Sequence, residues 1–228
     1  MITIDEIKAM LLSGELSPNN NDIIASGTLV AAGGTSHTYT LHHGWDIAKC
    51  LACDELWHSF NLKLMNWISE QKFDPEALKN VLGEIQIDDS HWEWFKKALV
   101  FKNGEFHWFF LMIDGQPQAA CVIFHPKKSA LEEIDVFYIE YIAVAPWNRQ
   151  NPMESRTFKG IGSLLIRSII SFGVQKLSFN HGFSLHALPR AAEFYVKIGM
   201  ERISQHDKDT LQYFEMPEKS AVAYAEEK

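Results

Sequence analysis

The sequence predicts an α/β chain: a mixed sheet flanked by helices, with a mainly helical N-terminal region ahead of it. Three stretches predict this. Phe137–Val144 is a nearly unbroken run of β-branched and aromatic residues, the pattern of a central strand. A polar loop and Gly160-Ile161-Gly162 lead from it into a helix through Leu164, Leu165, Ile169 and Ile170. Gly182–Met200 repeats that unit, with a short strand at Phe183–Ala187, Pro189 in a first helical turn, and Gly199 after Phe194 and Tyr195 to end the helix. Residues 1–100, by contrast, carry one amphipathic helical pattern after another.

Taken in order, Ile4, Ile7, Met10 and Leu11 predict a short helix that Ser13-Gly14 ends. Ser17–Thr40 is rich in Ser, Asn, Gly and Thr and reads as a loop with one short strand. Trp45–Ile68 has helical spacing, and Asp74-Pro75 caps a further helix through Leu78, Val81, Leu82 and Ile85. Ser90 is a candidate cap for a third helix with Trp92, Phe95, Leu99 and Val100. Phe106–Ile113 and Gln118–Phe124 are strands around an Asp114-Gly115 turn that Pro117 is expected to lengthen. Lys127–Glu133 reads as a polar connection to the central strand, which Pro146 ends because it has no backbone donor. Glu201–Ile203 and Leu211–Phe214 form a last hairpin, and Met216–Lys228 reads as a disordered or loosely helical tail. The expected organisation is a helical region packed on the core over 1–89, a catalytic domain over 90–216, and a tail over 217–228.

Composition narrows the function. The net charge of −8 and pI of about 5.7 argue against a chain that grips nucleic acid by neutralising phosphates. The charge is concentrated early: residues 1–100 carry 7 Lys or Arg against 14 Asp or Glu. An acidic flank favours a cationic amine substrate, and a merely solvated acidic surface is the alternative. No apolar run of membrane-spanning length and no export signal is expected, which leaves the cytoplasm as the default. Three cysteines give no disulfide framework.

A glycine turn opening a helix leaves several backbone N–H groups free and aimed one way, at the positive end of the helix dipole, and so predicts a phosphate cradle. Lys159-Gly160-Ile161-Gly162 ahead of one helix and Phe194-Tyr195-x-Lys197-x-Gly199-Met200 on the other resemble the GNAT superfamily of acyl-CoA-dependent N-acyltransferases over roughly residues 90–216. The resemblance implies a sheet that splays near its middle. It also implies acetyl-CoA as co-substrate in the V-shaped gap, and transfer of an acetyl group to a primary amine. Ile142, Ala143 and Val144 would offer backbone groups to the pantetheine amides. Thr157, Phe158, Lys159, Gly160, Ile161, Gly162 and Ser163 would hold the pyrophosphate. Tyr195 matches the helix tyrosine that protonates the departing thiolate.

The chain departs from the family pattern in three places. Thr157 stands where Arg or Gln is usual, with Arg156 one place early; the Asn148–Thr157 loop is long; and Leu188 replaces an Asn seven residues before the tyrosine. Glu140, a carboxylate in apolar surroundings, is the candidate base: desolvation should raise its pKa, and a period of two puts it on one face with Ile142 and Val144. A structural Glu paired at a strand end is the alternative. Cys50 and Cys53, with His42, His43 and His58 nearby, have metal-like spacing, yet on a helix such cysteines are simply neighbours on one face, so inert burial and no metal are expected. His186 is either a structural histidine or a substrate contact. The acceptor is expected to be a small-molecule amine. A protein or peptide amine, and a non-catalytic acyl-CoA-binding regulator, are the alternatives; a homodimer is an open option.

Overall fold

The computed structural model describes residues 3–13 and 22–227. An eight-stranded sheet runs in the order β1-β2-β3-β4-β5-β6-β8-β7. Its strands are β1 (Asp22–Val30), β2 (Ser36–His43), β3 (Phe106–Ile113), β4 (Gln116–Lys128), β5 (Asp135–Val144), β6 (Phe183–Ala187), β7 (Glu201–Arg202) and β8 (Gln212–Met216). Neighbours are antiparallel except β5 and β6, which are parallel and joined by a crossover through α5 (Ile161–Leu177). The remaining helices are α1 (Ile4–Ser13), α2 (Ile47–Glu70), α3 (Pro75–Glu84), α4 (Trp94–Val100), α6 (Ala192–Lys197) and α7 (Glu218–Glu226). Among the described residues no helix is long and apolar enough to cross a membrane.

Both faces of the sheet are covered, which is why β3 and β4 read as nearly continuous apolar runs. On one face α5, α6 and α7 pack over Phe109, Leu111, Ile139, Leu185 and Phe214. On the other, α2 and α4 pack over Trp108, Phe110, Val122 and Ala143. Cys50 and Cys53 are fully buried in that second layer, where burial pushes both thiols well up. No metal-binding cluster occurs among the described residues. Asp74 caps α3 by accepting from Glu76 and Ala77 N–H, with Pro75 in the first turn.

Five expectations are corrected. Residues 22–43 form the β1–β2 hairpin, which pairs with β3 and carries the sheet across residue 89 into the N-terminal region. β1 is an edge strand with little buried surface, so it lacks the alternating apolar signal that betrays a strand. Ser90 does not cap α4: Asp54 of α2 reaches across and accepts from Trp94 N–H at 2.6 Å and Phe95 N–H at 2.9 Å. The Asp114-Gly115 turn is a two-residue turn, with Ile113 opposite Gln116 and both turn residues at positive φ. Pro117 is accommodated in the strand by a bulge beside it. β4 runs on to Lys128 rather than ending before a loop at Lys127. The C-terminal stretch is the helix α7, with Ala221 and Tyr224 buried against α5. Ser17 and Gly14 lie outside the described residues.

Candidate active site

The site begins at a break in the sheet. β5 and β6 pair only through Phe137–Phe183, Tyr138–Ser184 and Ile139–Leu185. Beyond Ile139 the two strands part, and the N-terminus of α5 and the helix α6 stand over the opening. Two backbone features fix this geometry. First, Glu140 is the extra residue of a β-bulge: Val122 faces Tyr141 and Ile123 faces Ile139, which leaves residue 140 unpaired. The bulge reverses the phase of the strand, so that Phe137 and Ile139 belong to the same core layer as Ile142 and Val144. The period of two that groups Glu140 with Ile142 and Val144 therefore fails here. Second, Ala145 N–H donates to Gln118 C=O on β4, while Val144 C=O points the other way and accepts from Arg149 Nε at 2.7 Å. By alternation, Ile142 and Val144 turn backbone groups toward the gap, and Ala143 turns its own toward β4.

α5 starts at Gly160 in the left-handed conformation, φ 77°, with no side chain capping its first turn. A Cβ on Gly160 would meet nothing within 4 Å, and one on Gly162 would stand 3.6 Å from Val144 Cγ2 and 3.9 Å from Phe194 Cζ. The helix start thus opens onto the gap, and Gly162 sits between β5 and α6. The loop before it is long but closed at its base. Asn148, buried, donates to Gln118 Oε1 and accepts from Phe158 N–H, both at 2.9 Å. Trp147 Nε1 also donates to Gln118 Oε1, and Thr157 N–H donates to Trp147 C=O. The extra loop length therefore does not displace Gly160.

These bonds remove two residues from the expected cradle. Thr157 has its N–H on Trp147 and its C=O on Ala32 N–H, and Phe158 has its N–H on Asn148 and its ring buried. Neither lines the cleft, nor does the Lys159 side chain. Ile142, Ala143, Val144, Gly160, Ile161, Gly162, Ser163 and Tyr195 do line it, and the cleft encloses about 410 Å³. Arg156, one place early in sequence, lines it where Thr157 does not, and its guanidinium is within 3.1 Å of Gln150 Oε1.

Tyr195 is buried on α6, and among the described residues its hydroxyl has no hydrogen-bond partner. Burial pushes its pKa upward, with Cys121 and Asp89 adding to the effect, so the phenol keeps its proton. Leu188 lines the cleft and supplies no polar group there. Glu140 does not line the cleft. It is the first residue past the last β5–β6 pair, at the apex of the gap, and burial raises its carboxyl pKa against the pull of Lys208 and Lys127. His186 is structural: its ring nitrogens are engaged by Tyr138 Oη at 2.6 Å and His206 C=O at 2.8 Å.

The outer wall of the cleft comes from the segment between α3 and α4. Glu84, Gln86, Asp88 and Asp89 line it. Asp89 forms a bidentate pair with Arg149, 2.5 and 2.6 Å, with both side chains largely buried. Arg149 also donates to Gln86 C=O, and Arg190 joins Ile85 C=O and Asp88. Two carboxylates of the N-terminal half, Asp88 and Asp89, are thus answered by arginines at this wall. Nothing local in the sequence marks Arg149 or Asp89; only their distant pairing does.

No protein-family model matches the chain, and no curated protein matches it. Solved structures similar to it include several GNAT-domain N-acetyltransferases. The GNAT domain of S. lividans PAT superposes with a TM-score of 0.49 at 10% identity, over 84% of this chain and 96% of that one. An uncharacterized protein from Bacillus halodurans gives 0.47 at 13% identity, over 90% and 98%. The PaiA N-acetyltransferase of Thermoplasma acidophilum, in complex with coenzyme A, gives 0.45 at 10% identity, over 77% and 97%. Overlap this loose carries no residue's role and no substrate across to this chain.

Proposed function

We propose that the chain is an acetyl-CoA-dependent N-acetyltransferase of the GNAT kind, acting on a primary amine of a small molecule. The observation that carries this reading is the parting of β5 and β6 beyond Ile139 directly under the uncapped start of α5. An uncapped helix N-terminus is an anion site, and an unpaired strand edge is a partner for an extended amide-bearing arm. Gly160, Ile161, Gly162 and Ser163 hold the pyrophosphate through N–H groups, with Arg156 as the nearby cation. Ile142 and Val144 hold the pantetheine arm.

The co-substrate supplies an acyl thioester. The chain supplies positions and protons. The Tyr195 hydroxyl, kept protonated by burial and free of other partners, donates to the sulfur as it leaves. Glu140, with its raised pKa at the apex of the gap, takes a proton from the acceptor ammonium through water. The outer wall at residues 84–89, closed by Arg149 and Arg190, favours a small acceptor over a peptide laid along an open groove.

The experiment is an acetyl-CoA turnover assay on pooled amines and pooled peptides, following thiol release. Turnover with the amine pool supports the reading. Turnover with peptides alone would move the assignment to protein acetylation, and coenzyme A binding without turnover in either pool would make the chain a non-catalytic binder.

A further inference from the structure

The described chain ends in α7, a helix fixed at both ends. At its start, Glu218 N–H donates to Glu132 Oε2, and the Glu218 carboxylate accepts from Gly182 N–H and contacts His181 Nδ1, each at 2.9 Å. Near its end, Arg167 of α5 lies 5.7 Å over the Tyr224 ring and 3.7 Å from Glu227. Between these ties Tyr224 is 4% exposed, and its hydroxyl is buried without a hydrogen-bond partner. Such a group destabilises the fold unless something answers it. Burial raises the pKa of the phenol, and Ser163, one turn before Arg167 on α5, pulls it back, though the two hydroxyls do not reach hydrogen-bond geometry. Ser163 itself lines the cleft. A buried, unanswered donor thus stands behind the open helix start, and a docked helix holds it there.

We propose that α7 completes a phosphoryl-binding site at the start of α5, with Tyr224 as a positioning residue. Its hydroxyl donates to Ser163 Oγ, which turns its own proton to a phosphoryl oxygen of a nucleotide-type ligand. The inference rests on the cleft described above and on the phosphoryl part of the proposed function, but not on acetyl transfer. Ligand binding closes the gap between the two hydroxyls and satisfies the phenol. The ring packing and the Arg167 contact do not depend on the hydroxyl.

The experiment compares wild type and Tyr224→Phe by titration calorimetry with coenzyme A, ADP and pantetheine, and by melting without ligand. The expected result has two opposite signs. Without ligand, Tyr224→Phe melts at the wild-type temperature or slightly above it, because an unanswered buried hydroxyl has been removed. Affinity for coenzyme A and ADP falls about fivefold to tenfold, the size of a hydrogen bond between neutral groups such as the two hydroxyls, while pantetheine binding is unchanged. Ser163→Ala gives the same ligand pattern, and adding Tyr224→Phe to it costs little more. Equal affinities in wild type and Tyr224→Phe would overturn the inference, as would an equal loss on all three ligands or a failure of wild type to bind either phosphorylated probe. Tyr224-dependent binding of ADP in a chain that never turns over acetyl-CoA would keep the phosphoryl site and remove the acetyltransferase reading.

Discussion

The two walls of the cleft are built from different material. The inner wall is main chain: the edge of Ile142 and Val144, where Arg149 takes only the Val144 carbonyl, and the N–H groups that follow Gly160. The outer wall is side chain: Arg149 and Arg190 tie down residues 85–89 through carboxylates and carbonyls. A main-chain wall has few ways to move, because its donors are fixed by helix and strand geometry. A wall of ion pairs can exchange partners, and each arginine on it is also a cation that an anionic ligand would attract. On the function proposed above, the first wall suits a constant cofactor and the second an acceptor that varies.

The largest expected effect breaks the inner wall alone. Acetyl-CoA should raise the wild-type melting temperature, by the equivalent of about 2.7 kcal/mol at a hundredfold excess over Kd. Gly160→Glu brings a side chain and a negative charge into the cradle at a left-handed position, and the shift should vanish. A folded variant that keeps the full shift would move the cofactor elsewhere.

Breaking the outer wall should cost stability instead. Arg149→Met leaves the largely buried Asp89 carboxylate without its partner and frees the carbonyls of Val144 and Gln86. Urea unfolding should show a loss of about 3 kcal/mol. Adding Asp89→Asn should recover part of it, because the stranded charge is gone; strictly additive losses would mean the pair does not act as a unit.

Inside the cleft, Tyr195→Phe keeps the ring beside Phe194 and removes only the hydroxyl. Turnover should drop on the order of 10²-fold, the low end for general acid catalysis, with coenzyme A affinity and stability nearly unchanged. Full activity would leave positioning in the gap as the source of rate. Glu140→Gln sharpens the comparison from the apex, where neither wall reaches. Its defect should shrink as pH rises and the acceptor amine becomes neutral unaided, whereas a defect independent of pH would reduce Glu140 to packing.

The smallest effect serves as a control, because its groups belong to neither wall. Burial lowers the pKa of His107 to about 4, assisted by His43 and His125, and it lowers those of His43 and His125 as well. Unfolded histidines take up a proton near pH 6.5, so between the folded and unfolded values the unfolded chain binds more protons. The stabilisation is fully present above about pH 6.5 and is lost as pH falls toward 4. After allowance for solvent screening the loss is on the order of 1 kcal/mol, or a few degrees in Tm. Ligand-induced shifts measured across that range should stay constant if the histidines lie outside the site.

What the sequence makes legible follows the same division. Gly160, Gly162, Pro146 and the run Phe137–Val144 announce the inner wall, because positive φ, a missing donor and an apolar run are local facts. Tyr195 is marked by the motif Phe194-Tyr195-x-Lys197-x-Gly199-Met200 and the resemblance it carries. The outer wall was not, since Asp89 and Arg149 are 60 residues apart in sequence and meet only in the fold. The Glu140 bulge was hidden because an inserted residue looks like any other in a strand pattern. The β1–β2 hairpin was hidden because an exposed edge has no buried face to betray it. Thr157 and Phe158 matched the motif by position, yet their donors were already taken by Trp147 and Asn148.

The knot at Gln118, Trp147, Asn148 and Phe158 also separates two jobs that a continuous loop would mix. With the ends tied and Met153 packed on the cluster around Leu64 and Ile68, only the tip at Glu154 and Ser155 can gain residues at little cost, since doubling a flexible loop adds only about 0.6 kcal/mol. Glu154 and Ser155 stand exposed at its far side, while Arg149 and Arg156 at its feet face the cleft. A fluorophore on Ser155, or a few inserted glycines there, would sit next to the cleft without touching the helix start. The loop is therefore a ready port for instrumentation: a place to attach a sensor of occupancy while the chemistry is left alone.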